Sequence, residues 1–224
     1  MINVAIDGPA GAGKSSIARK VSKELGFIYV DTGALYRTVA VKVLNCGLTA
    51  ENVSEIEKLL DSTVVGIEFI DGEQRMILDT VDVTDKIRMP EISMLASSVS
   101  AIPAVRAYLL NTQRRLAKEN NVIMDGRDIG TVVLPDANVK IFLTASPEDR
   151  ATRRFDELVA KGVDVKYEDV LEDIKTRDYN DSHRAVAPLK PAEDSIYVET
   201  TGNTFEQSVE LLKGIIENAL KEVK

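Results

Sequence analysis

The residues Gly8-Pro9-Ala10-Gly11-Ala12-Gly13-Lys14-Ser15 follow the spacing G-x-x-x-x-G-K-S in full. The chemistry that such a spacing serves is the capture of phosphate. Glycines let the backbone curl until successive N–H groups point inward, and a helix starting at the lysine adds its positive N-terminal dipole. Lys14 then reaches the β- and γ-phosphates of a bound nucleotide, Ser15 offers a hydroxyl to Mg²⁺, and Ser16 continues the cradle. The match is meaningful only where the segment joins a strand to a helix.

Phosphate-binding loops of this kind serve switches, motors and kinases, so the remainder of the chain must choose. A GTPase switch would need D-x-x-G and [NT]-K-x-D, and neither occurs. Arginine does recur, at Arg37, Arg106, Arg127, Arg150, Arg153, Arg154, Arg177 and Arg184, with the spacing of active-site loops. Arginine suits bidentate phosphate contacts and the charge that develops on a transferring phosphoryl group. Asp125-Gly126-Arg127-Asp128 follows the apolar run Val122-Ile123-Met124. A carboxylate at the carboxyl end of a strand beside the loop strand is placed to partner Mg²⁺ or its water, which makes Asp125 the candidate; a purely structural turn is the other reading. Arg150, Arg153 and Arg154 share one helical face. That face suits either polyphosphate or salt bridges.

The elements that must position these groups alternate. A strand over 2–6 leads into the loop, a helix over 14–25 ends at Gly26, and a strand over 27–30 and a helix over 34–46 follow. That is the pattern of an open parallel sheet covered on both faces. After a helix over 53–60, Val65, Ile67 and Phe69 alternate before Asp71-Gly72, which predicts a small antiparallel insertion near 63–83. Helices are expected over 91–101 and from Pro103 to 118, strands over 122–124 and 139–143, and a capped helix from Ser146. A helix over 168–177, a strand over 196–199 and a closing helix from Thr204 complete five core strands.

The chain has 224 residues, 44% hydrophobic and 29% charged, with a net charge of −8. This suits one globular unit with a small insertion and is long enough for a full core. An acidic chain is a poor partner for a nucleic acid polymer, so phosphate must be held by locally focused positive charge. Cys46 is the sole cysteine, which excludes an intrachain disulfide and a cysteine metal site. No run of roughly 18 apolar residues suggests a membrane span, and the first residues lack the pattern of a signal peptide. The expectation is a cytoplasmic monomer.

At these residues the sequence resembles the bacterial cytidylate kinases, a family of nucleoside monophosphate kinases. The resemblance runs through I-D-G-P-A-G-A-G-K-S-S at 6–16, D-T-G-A-L-Y-R at 31–37, D-G-R-D-I-G-T-V-V-L-P-D-A at 125–137, K-I-F-L-T-A-S at 140–146, R-D at 177–178 and R-A-V-A-P-L at 184–189. It implies an α/β kinase with a five-stranded parallel core, helices on both faces and a short helical lid. The core would take residues 1–32, 101–147 and 185–224, a monophosphate-binding segment 33–100 with its β insert near 63–83, and the lid 148–184. It implies ATP as donor, Mg²⁺, and CMP or dCMP as acceptor. By the same resemblance Arg37, Arg127 and Arg184 hold the acceptor phosphate, with Thr32 beside it, and Asp181 meets the ribose. Ser97 or its neighbour Ser98, Arg106 and Asp128 read cytosine. Arg150 stacks on adenine, while Arg153, Arg154 and Arg177 act catalytically with Lys14 at the phosphates. The D-Y-N-D-S-H stretch between Arg177 and Arg184 departs from the more charged run usual in the family.

The base-reading set is also sensible chemistry. Cytosine offers an N4 donor and O2/N3 acceptors, to which a carboxylate and an arginine or serine are complementary. Uracil turns a carbonyl toward the same carboxylate and is repelled. Two other readings stay open: a kinase for another small acceptor such as a sugar or shikimate, and a module that binds ATP without transferring it. An acceptor screen separates the first, and a degenerate Lys14 or missing lid arginines would mark the second. His183, the single histidine, is given no general-base role, because an acceptor phosphate is already a nucleophile.

Overall fold

The computed structural model describes residues 1–71 and 73–222, with nothing described of the Glu222 side chain. Strands β1 (Asn3–Asp7), β2 (Ile28–Asp31), β6 (Val122–Gly126), β7 (Val139–Thr144) and β8 (Ile196–Glu199) form one parallel sheet in the order β2-β6-β1-β7-β8. The five expected core strands are thus present, with β1 at the centre. Register places Asp31 opposite Asp125 and Asp7 opposite Gly126. Three carboxylates therefore emerge at one end of the sheet, the carboxyl end at which open α/β folds bind ligands.

Helices α1 (Lys14–Leu25) and α8 (Phe205–Glu222) cover one sheet face through Ile17, Val21, Leu212 and Ile216, packed on Ile6, Ile141 and Leu143. Gly26 ends α1 in the left-handed conformation, as its position after Leu25 predicts. The opposite face buries Val30, Val122 and Met124 against Ala117 of α5 (Pro103–Glu119) and against Ile129 and Val133. Burying each large side chain contributes about 1.5–3 kcal/mol, so these clusters outweigh local helix propensity.

The insertion is a three-stranded antiparallel sheet of β3 (Val65–Ile70), β4 (Glu73–Leu78) and β5 (Val81–Asp82). Val65 pairs with Leu78 and Ile70 with Glu73. Of the expected Asp71-Gly72 turn, Asp71 is seen with φ 53, while Gly72 lies outside the described residues. Met76 and Leu78 join a separate apolar cluster with Leu35 and Val39 of α2 (Thr32–Asn45), Ile56 of α3 (Val53–Leu60), Ile92 of α4 (Pro90–Val99), and Val105 and Leu109 of α5. A small fourth packing unit joins Ala151 of α6 (Pro147–Ala160) to Val170 and Ile174 of α7 (Tyr167–His183).

Two elements differ from expectation. Helix α7 continues past 177 to His183. The polar D-Y-N-D-S-H stretch stays helical because Asp178 and Asp181 are each drawn into ion pairs outside the helix. Residues Ile129–Val133 form a single wide helical turn, closed by Leu134 N–H donating to the Ile129 carbonyl at 2.7 Å. Among the described residues no single helix is long and apolar enough to cross a membrane; α4 and α5 are so only when taken together, and they break by 101°.

Gly8 shows how closely the loop is fitted to the sheet. Its φ is 151°, and a Cβ there would stand 1.9 Å from the Leu143 carbonyl oxygen of β7. Gly8→Ala is therefore expected to displace the loop from β7 and cost about 2–3 kcal/mol. Urea unfolding checks this; an unchanged midpoint would show that the loop relaxes without cost.

Candidate active site

A cleft of about 1070 Å³ opens at the carboxyl end of the sheet. Residues 10–16 of the phosphate loop line it. Gly8 and Pro9 do not: Gly8 is packed on β7, and Pro9 offers its carbonyl to Lys14 Nζ at 2.7 Å. Lys14 is 4% exposed. Burial and the Arg127 charge push its ammonium down to about 7, against the pull of Asp125, Asp181 and Asp7. A lysine so held gains most from a new anion at its tip.

Asp125 stands at the end of β6. Its Oδ2 accepts from Ser15 Oγ at 2.8 Å, its Oδ1 from the Tyr29 hydroxyl at 2.9 Å, and its carbonyl from Thr32 Oγ1 at 2.7 Å. Burial, reinforced by Asp31, raises its carboxyl above the ordinary range. Asp7, one strand over, accepts from the N–H groups of Ile129 and Gly130, both at 2.7 Å, and so anchors the wide turn that follows Asp128. Burial pushes the Asp7 carboxyl up to about 6 in spite of those two bonds.

The arginines are each matched to a carboxylate. Arg37 Nη2 donates to Asp31 Oδ2 at 2.7 Å, and Arg127 Nε to Asp181 Oδ2 at 2.8 Å. Asp128 is 4% exposed and receives Arg106 on one oxygen and Arg184, at 3.4 Å, on the other. The Arg106 guanidinium also lies 5.6 Å from the Tyr36 ring centroid. Burial pushes the Arg184 and Arg177 guanidinium groups down, and the neighbouring charges of Arg106 and Arg127, respectively, add to it. All these residues line the same cleft, as do Thr32, Ser97, Arg153 and Arg154. Ser98 is exposed and does not. Arg153 also donates to the Thr200 carbonyl, and Arg154 pairs with Glu157 on its own helix. His183 is exposed, stacked on Tyr179, and outside the cleft.

Arg150 departs from expectation. It is 3% exposed and offers no open face to a base. Its Nε donates to the Ala145 carbonyl at 2.9 Å, its Nη1 to the Ala10 carbonyl at 2.8 Å, and both Nη atoms to the Asp178 carboxylate. The residue ties the phosphate loop to α7. Burial follows from its place one turn into α6, on the side that faces the loop.

With this geometry the chain can be set beside known proteins. A profile of the cytidylate kinases matches residues 4–218. The cytidylate kinase of Caldicellulosiruptor saccharolyticus is 52% identical over 216 residues, covering 96% of this chain and 94% of that protein. That of Carboxydothermus hydrogenoformans is 50% identical, covering 96% and 97%. The chain belongs to the cytidylate kinase family. A solved structure of an uncharacterised protein from Eubacterium ventriosum superposes with a TM-score of 0.54 at 12% identity, covering 97% of this chain and 99% of that one. That likeness extends to the fold alone.

Within the family frame, three residues of the site carry no role in the sequence reading. Asp7 anchors the wide turn after Asp128, Tyr29 bonds Asp125, and Asp31 orients Arg37. Asp7 and Asp31 stand inside the quoted motifs, at the ends of predicted strands, and that position is the signal that would have found them.

Removing the Asp178 carboxylate leaves a buried guanidinium uncompensated. Asp178→Ala is expected to cost about 3 kcal/mol, toward the low end for a broken buried pair because Asp178 is 24% exposed. Asp178→Asn, which retains acceptor oxygen, should lose less. Urea midpoints of the two variants provide the check, and equal midpoints to wild type would mean that the pair is replaced by water.

Proposed function

We propose that this enzyme transfers the γ-phosphate of ATP directly to CMP and dCMP. The observation that carries the reading is the Arg106–Asp128 pair, set with Ser97 in the same cleft as the phosphate loop. A buried carboxylate paired with a guanidinium, in a cleft that a hydroxyl also lines, offers the complement of cytosine's N4 donor and O2/N3 acceptors. On this reading Arg37, Arg127 and Arg184 hold the acceptor phosphate beside Thr32, and Asp181 meets the ribose. The buried Lys14, with Arg153, Arg154 and Arg177, balances charge on the transferring group. Residues 33–100 and 148–184 are taken as the parts that close over the two nucleotides. No general base is needed, since the acceptor phosphate is the nucleophile.

Ser15 and Asp125 offer oxygen alone, which fits Mg²⁺. Among the described residues no group of three His, Cys, Asp or Glu side chains is placed to cage a metal, and Mg²⁺ commonly completes its shell with phosphates and water. When bound there it would neutralise phosphate charge. Ser15 and Asp125 would hold it, with their mutual hydrogen bond giving way to the cation. The reading takes the enzyme as a cytoplasmic monomer, in keeping with the exposed free thiol of Cys46, which stays reduced in that compartment.

An ADP-release assay with CMP, dCMP, UMP, AMP and GMP side by side tests the reading. CMP and dCMP should turn over fastest, and a preference for a purine nucleotide would overturn it. Asp128→Ala should reduce kcat/KM for CMP more than for UMP, narrowing their ratio roughly 10-fold, or about 1.4 kcal/mol. An unchanged ratio would mean that Asp128 serves only to pair Arg106 and Arg184.

A further inference from the structure

The edge strand β2 pairs with β6 on one side only, so backbone groups on its other side need partners elsewhere. At Asp31 a single side chain of the insertion supplies both. Gln74 Oε1 accepts from the Asp31 N–H at 2.9 Å, and Gln74 Nε2 donates to the Asp31 carbonyl at 3.2 Å. A side-chain amide thereby imitates one rung of a sheet. Gln74 also lines a second cavity, of about 440 Å³, together with Arg19, Arg37 and Arg88. Open space therefore flanks the contact, and little else fixes Asp31 on that side.

What hangs on Asp31 makes the contact consequential. Its Oδ1 caps α2 by accepting from Ala34 N–H at 2.9 Å, and its Oδ2 orients Arg37 at 2.7 Å. The adjoining residue, Thr32, is bonded to the Asp125 carbonyl. Gly33 leaves no slack: a Cβ there would stand 3.1 Å from both Asp31 Oδ1 and Arg37 Nη1. We infer that Gln74 is a positioning residue for the acceptor phosphate, acting from the insertion through Asp31 on Arg37. The inference rests on the proposed reading of Arg37 and extends it by making the β insertion part of acceptor recognition.

The test is steady-state kinetics on wild type, Gln74→Leu, Arg37→Ala and the double variant. Gln74→Leu should raise KM for CMP roughly 10-fold, the scale of two neutral hydrogen bonds, with KM for ATP nearly unchanged. In the Arg37→Ala background the same substitution should add almost nothing, because the two act along one path. A residue that merely stiffened the insertion would move both KM values or lower kcat alone. An unchanged KM for CMP, a parallel rise in KM for ATP, or a full additive penalty in the double variant would each overturn the inference. A wild-type KM for CMP in Arg37→Ala would overturn the reading of Arg37 itself, and that single variant tells the two failures apart. Should Gln74→Leu not fold, Gln74→Met, similar in length and without the amide, carries the same test.

Discussion

Asp125 is a carboxylate kept out of water at the end of β6, and such a group is tolerated only where hydrogen bonds replace its hydration. The replacements come from Ser15 on the phosphate loop and Tyr29 on β2, while Thr32 at the start of α2 binds its main chain. One buried residue thus fastens the loop helix, the edge strand and helix α2 together at the end of the sheet. The fastening is polar and therefore directional. An apolar contact of equal size would leave the hydroxyl of Ser15 free to turn. The strained approach of Gly8 to β7 serves the same end on the other side of the loop.

Charge is arranged around this anchor in matched pairs. The protein carries a net charge of −8, and four of its cleft arginines face aspartates: Arg37 with Asp31, Arg127 with Asp181, Arg106 and Arg184 with Asp128. Such pairing has two effects. It fixes guanidinium groups in defined rotamers, so less side-chain entropy is lost when a phosphate is met. It also offsets mutual repulsion, which would otherwise be severe among several cations in a partly desolvated space. Lys14 bonds the Pro9 carbonyl instead of a carboxylate, and burial together with the Arg127 charge lowers its ammonium.

The parts legible in the sequence are those set by local pattern. The loop motif, the apolar strands, the Gly26 stop and the five-strand count depend on neighbours a few residues apart. The three-residue D-T-G run and the Asp125 position could be placed because strand ends fall where motifs begin. What the sequence did not disclose was set by contacts between distant residues. Arg150 shares a helical face with Arg153 and Arg154, yet the Ala10 carbonyl and Asp178 draw it inward, 140 and 28 residues away. The helix expected over 168–177 runs on to His183 because tertiary ion pairs of Asp178 and Asp181 override the weak helix preference of Asp, Asn and Ser. Gln74 is an ordinary polar residue of a hairpin until β2 is known to be an edge strand.

The separation of the apolar clusters bears on motion. The insertion, α2, α3 and α4 share one cluster with the first half of α5, and α6 and α7 share another, both distinct from the clusters under the sheet. Connections from these units to the loop and the sheet ends are largely polar: Arg150 to Ala10, Arg127 to Asp181, Gln74 to Asp31. A polar contact can exchange one partner for water or a ligand oxygen at small net cost, because the hydrogen bond broken is replaced. An apolar contact cannot be opened without exposing area at about 25 cal/mol per Å². On the proposed reading, in which residues 33–100 and 148–184 close over the nucleotides, such polar seams open at less cost than an apolar one such as that of Phe69 of β3 against the cluster of Val30 and Met124. On the same proposed reading, in which Arg127 holds the acceptor phosphate, an oxygen that takes over its Nε also releases Asp181, and with it one of the ties that hold the end of α7.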